Sequence, residues 1–186
     1  MQQPLTHSGV NLSELTFLVA DPSDLYRDLG RRLLYGFGAG KVLDAADAPA
    51  AARLLTGRTV DFLLCAADLP GFGKPGTPNG GIGFVRSIRL NPKHAARSIP
   101  IIVTMGTALR MSVGQARDCG ANFVLSKPIS PSVLYDRIAW IARRPRPFWD
   151  SPTYFGPDRR FHDDDYEGAA RRRASDGDAV AEKDVA

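Results

Sequence analysis

Five short apolar runs, each followed by a segment with helical periodicity, constrain this chain more than any other feature. The runs are Thr16–Ala20, Lys41–Leu43, Asp61–Ala66, Ile101–Met105 and Phe123–Leu125. Strand–helix alternation of this kind predicts parallel strands, because each crossover helix returns the chain to the same end of the sheet. The expected fold class is α/β: a doubly wound five-stranded parallel sheet with helices on both faces, followed by an irregular C-terminal tail.

The third run, within Val60–Gly71 (VDFLLCAADLPG), is apolar almost throughout and closes on Leu69-Pro70-Gly71. It reads as a central strand buried on both faces and running into a loop. Asp21-Pro22-Ser23 starts a helix over Asp24–Leu34, with Leu25, Leu29 and Leu33 expected on its inner face. Further helices are expected over Ala48–Leu55, Ile82–Leu90 and Leu109–Cys119. Ser130-Pro131 opens the last one, which should turn Val133, Leu134, Ile138 and Ile141 inward until Pro145 and Pro147 end it. The loop Pro70–Gly81 contains Gly71-Phe72-Gly73-Lys74-Pro75-Gly76, which spells G-x-G-x-x-G. A dinucleotide site needs a helix to begin inside that motif, whereas Thr77-Pro78 and Asn79 prolong the loop.

Composition excludes several classes. A chain of 186 residues, 44% hydrophobic, supports one good core. We expect a polar leader over residues 1–14, one domain over 15–142 and an Arg-rich, partly disordered tail over 143–186. Leu15–Ala20 is too short to span a bilayer, and the N-terminus lacks the blocks of a signal peptide. Cys65 and Cys119 have no redox or metal spacing and suit reduced core thiols of a cytoplasmic protein. The three histidines are scattered, so neither a metal nor a cofactor is expected. Residues 1–142 carry 15 basic and 10 acidic side chains, residues 143–186 nine and ten. Neither half has the concentrated basic stripe of a nucleic-acid binder.

The third run also resembles the third strand of a CheY-like response-regulator receiver domain. In that family an acid opens the strand, here Asp61, and Pro-Gly closes the motif, here Pro70-Gly71. The likeness extends over about residues 15–142. LVADPSDLYRDLGRRLL matches the first strand and helix, GGIGFVRSIRLNP the helix after the acceptor loop, SIPIIVTMG the fourth strand, and GANFVLSKPIS the fifth with its Lys127-Pro128. The resemblance implies a flavodoxin/CheY-like fold with a pocket at the carboxyl ends of the strands, formed by Asp21, Ala66, Asp68, Thr104, Met105 and Lys127. Of the two adjacent acids that hold Mg²⁺ in the family, only Asp21 is present, beside Ala20. The phosphoacceptor position falls on Ala66, the switch hydroxyl position on Met105 (one place after Thr104), and the switch aromatic position on Val124. Asp21 and Lys127 are expected to face each other as a partly exposed pair.

In the tail, Tyr154-Phe155-Gly156-Pro157-Asp158-Arg159-Arg160 is echoed by Tyr166-Glu167-Gly168-Ala169-Ala170-Arg171-Arg172, a Tyr-x-Gly-x-x-Arg-Arg repeat. Paired arginines beside aromatics suit phosphate ligands, and Asp163-Asp164-Asp165 between them offsets their field. The competing reading has Phe148, Trp149, Tyr154 and Phe155 dock on the protein's own core or on a partner. The resemblance implies a stand-alone, non-enzymatic pseudo-receiver in two-component phosphorelay signalling, whose partner is a histidine kinase or downstream protein. The alternatives are a cyclic di-GMP effector using the tail arginines, and a phosphoreceiver using Asp68 as a displaced acceptor.

Overall fold

A computed structural model describes residues 10–74, 79–106 and 113–158, with the side chains of 113 and 115 left aside. The five expected strands form one parallel sheet in the order β2-β1-β3-β4-β5. They are β1 (Thr16–Ala20), β2 (Lys41–Ala45), β3 (Phe62–Ala66), β4 (Ile101–Met105) and β5 (Phe123–Ser126). Between and after them run α1 (Asp24–Gly36), α2 (Ala48–Gly57), α3 (Gly80–Leu90), α4 (Val113–Asp118) and α5 (Pro131–Arg143). The expected helix over Leu109–Cys119 is seen only as α4, since residues 109–112 lie outside the described ones.

Every residue of β3 and β4 is buried, as central strands covered on both faces require. Alternation along the strands divides the core into two layers. Leu18, Leu63, Cys65, Ile101 and Val103 pack under α2 and α3 with Leu55, Phe84, Val85 and Ile88. Phe17, Val19, Phe62, Leu64 and Ile102 pack under α1 and α5 with Leu34, Leu134 and Ile138. Asp61, just ahead of β3, accepts the Thr16 amide at 2.8 Å and donates its own to Thr16 O, tying the entrance of β3 to that of β1.

Two expected inward residues point out. Leu25 is 71% exposed, because α1 buries the stripe through Gly30 and Leu34 instead. Gly30 lets the helix lie against Val19, whose methyl would stand 3.1 Å from an added Cβ. Val133 is 42% exposed, one position off the Leu134–Ile138–Ile141 face.

The first part of the expected irregular tail is regular, while residues 159–186 lie outside the described ones. Residues Phe148–Ser151 (β6) and Tyr154–Pro157 (β7) form an antiparallel hairpin. It rests against the connections that enter β4 and β5. Arg97, ahead of β4, lays its guanidinium 3.5 Å from the Phe155 ring centre and pairs with Asp150 at 3.1 Å. Arg89, fully buried in the last turn of α3, donates to Gly120 O at 3.0 Å, to Arg97 O, and to Asn122 Oδ1 at 3.3 Å. Burial pushes its guanidinium down to about 10, so it remains a cation at neutral pH. Gly156 and Gly120 meet backbone to backbone: a Cβ on Gly156 would lie 2.7 Å from Gly120 Cα.

Candidate functional site

Parallel strands place their carboxyl ends on one rim, and Ala20, Ala66, Met105 and Ser126 end β1, β3, β4 and β5 there. Beyond them stand Asp21 and Lys127, each anchored through its backbone to the neighbouring strand. The Asp21 amide donates to Ala45 O at 3.0 Å and the Lys127 amide to Met105 O at 2.7 Å. These bonds extend the ladder by one residue, so the two side chains converge over the sheet edge.

Lys127 Nζ lies 2.5 Å from Asp21 Oδ2, and both side chains are under 10% exposed, at 8% and 5%. The expected facing is present, but the pair is buried rather than partly exposed. Its seclusion has a specific source: the ammonium sits 4.3 Å from the Tyr26 ring centre, so the first turn of α1 roofs it. The other Asp21 oxygen accepts the Ser23 amide at 3.0 Å, which turns the chain into α1. Arg27 holds the same corner by donating to Asp21 O at 2.8 Å and Pro22 O at 3.1 Å.

Ala66 is buried at the rim beside this pair and presents only a methyl. The start of α3 presses on it: a Cβ on Gly81 would stand 1.9 Å from Ala66 O. Gly80-Gly81 therefore belongs to the helix start, where close backbone contact requires glycine, rather than to the loop. Thr104 and Met105 are buried, and Thr104 O accepts the Ala67 amide at 2.8 Å. Asp68 is exposed, whereas Asp21, Ala66, Thr104, Met105 and Lys127 are buried. Cys65, fully buried under Ala66, has its thiol pushed up, first by burial and then by Cys119, Asp21 and Asp68.

These residues do not fit a divalent cation. A hard cation wants several oxygen ligands, whereas Ala20 and Ala66 offer no side-chain oxygen and Asp21 is already shared between Lys127 and Ser23. Among the described residues no three His, Cys, Asp or Glu side chains are grouped to hold a metal. Gly71 and Gly73 of the G-x-G-x-x-G stretch have φ of +83° and +84°, and the rest of that motif falls partly outside the described residues.

In the tail, Phe155 is buried and Phe148 half-buried, whereas Trp149 is 56% exposed. Tyr154 folds over β7, its hydroxyl donating to Pro157 O at 2.8 Å. Arg159, Arg160, Tyr166, Arg171 and Arg172 lie outside the described residues. Sequence reasoning missed Tyr26, Arg89 and Arg97. Tyr26 could have been found, since it lies in the first turn of the helix that follows the first strand. No residue pattern announces that Arg89 is buried.

No helix among the described residues is long and apolar enough to cross a membrane. Comparison with known proteins agrees with the geometry. The model of the response regulator receiver domain matches residues 17–139. The chemotaxis protein CheY of Pseudomonas aeruginosa is 25% identical over 130 residues, covering 70% of this chain and 98% of that protein. A solved chain described as a response regulator of Chloroflexus aurantiacus superposes with a TM-score of 0.59 at 25% identity, over 70% of this chain and 98% of that one. The chemotaxis protein CheY4 of Vibrio cholerae gives 0.55 at 22% identity, over 67% and 96%, and supports the fold. With these matches and the doubly wound sheet, the chain belongs to the response regulator receiver domain family of two-component signalling.

Proposed function

We propose that this protein is a pseudo-receiver: a non-enzymatic signalling protein that works through protein contacts and accepts no phosphoryl group. The observation that carries the reading is the buried Lys127–Asp21 pair beside Ala66. Acyl phosphate formation needs a carboxylate oxygen as nucleophile and a cation to offset the charge of the transferring group. Ala66 supplies no oxygen, and the lysine that would meet the new phosphoryl charge is neutralised by Asp21. Exposed Asp68 has no cation beside it among the described contacts, which weighs against a displaced acceptor. The two free, buried cysteines suit a reducing compartment such as the cytoplasm.

The reading is tested by capture on the immobilised full-length protein, with and without acetyl phosphate and Mg²⁺. A histidine kinase or downstream protein should be retained equally under both conditions. A partner retained only in the presence of the phosphodonor would overturn it.

A further inference from the structure

The family match ends at residue 139, yet the folded chain continues through the hairpin to Asp158. Those added residues supply three of the ten residues that line a cleft of about 460 Å³ on the domain. Arg117, Asp118 and Asn122, from α4 and the approach to β5, line one wall; Arg146, Tyr154 and Pro157, all beyond the matched region, line the other. The second wall is held in place by features already described: Arg97 against Phe155 and Asp150, and Gly156 against Gly120. Arg146 is fixed between two rings, 4.6 Å from Trp140 and 5.2 Å from Phe123.

The chain leaves the hairpin at this cleft. Pro157 lines it, and the next residue, Asp158, is tied back by its amide to Pro147 O at 2.8 Å. The acidic run Asp163-Asp164-Asp165 begins five residues further on. Five residues reach at most about 17 Å, enough to return into the cleft and too few to reach far from it. Three carboxylates meet two guanidiniums there, with Asp118 on the Arg117 wall opposing them in part. The effective concentration of a segment tethered this closely favours it over a free competitor. We propose that the cleft between α4, β5 and the hairpin is a docking groove for the chain's own acidic segment, Asp163–Asp165, held in cis.

The test is hydrogen exchange, read by mass spectrometry on the full-length chain, of peptides covering residues 113–124. Replacing Asp163, Asp164 and Asp165 together by Asn should speed exchange there by about fivefold, the order expected of a few exposed ion pairs. Roughly 1 M salt should do the same to the unaltered chain. Arg117→Glu should also speed exchange, and combining it with Asp163→Lys, Asp164→Lys and Asp165→Lys should restore protection. Unchanged exchange in the Asn variant, or no recovery in the charge-swapped chain, would overturn the proposal. Protection that grows with protein concentration would overturn it too, by assigning the groove to a second copy.

Discussion

With a methyl group at position 66, Lys127 has Asp21 as its counter-charge. An ammonium buried to this depth requires a counter-charge, and with Ala66 neutral the only described carboxylate against it is that of Asp21. Removing one member of a buried pair strands the other, at a cost of about 3 to 5 kcal/mol, whereas removing both together costs much less. Lys127→Ala should therefore destabilise the protein by about 3 kcal/mol in urea unfolding. Adding Asp21→Ala to it should recover part of that loss. A loss below about 1 kcal/mol for Lys127→Ala would mean that the pair behaves as an exposed one. Cys65 and Cys119 are both buried in the core layer under α2 and α3. Burial keeps the Cys65 thiol protonated, and thiolate is the reactive form. Neither cysteine should be alkylated by iodoacetamide near pH 8 until denaturant is added, and rapid labelling of the native protein would contradict this placement.

Among the elements, the hairpin is the part that does not follow from the family. Its attachment mixes contacts of different worth. Asp150 is well exposed, so Asp150→Ala should cost less than about 1 kcal/mol. Phe155 is buried under Arg97, so Phe155→Ala should cost about 3 kcal/mol. Trp149→Ala should be nearly neutral, because the ring is exposed. Urea unfolding of the three variants checks that order, and a larger loss at Trp149 than at Phe155 would invert the docking described here. The five-strand alternation was legible because strands buried on both faces must be apolar throughout, as FLLCA and IIVTM are. The inner face of α1 was not, since leucines four apart mark a stripe without saying which stripe meets the sheet. Gly30 decides it by admitting Val19, and a glycine carries no hydrophobic signal. The hairpin was hidden for a related reason. Strands of four residues are too short for alternation to emerge, and their partners Arg89, Arg97 and Gly120 lie far off in sequence.

At the scale of the whole molecule, the two ends of the sheet serve different purposes. The exits of the strands carry the candidate pocket: the places of Ala20, Ala66 and Met105 on that rim were legible position by position, because the strand ends fix it. The closure of that pocket by Tyr26 was not, since it depends on the first turn of α1. The entrances to β4 and β5 carry the hairpin and its arginines. The pseudo-receiver reading proposed above claims that this scaffold is kept without phosphoryl transfer at the first end, while the hairpin adds a surface at the other. The most direct measurement of that claim is intact mass after incubation with acetyl phosphate and Mg²⁺, for the unaltered protein beside an Ala20→Asp/Ala66→Asp variant. The unaltered protein should show no phosphoryl adduct, and the variant, with its carboxylates restored, should gain one. A stable phosphoryl adduct on the unaltered protein, mapped to Asp68 or to any other aspartate, would contradict it.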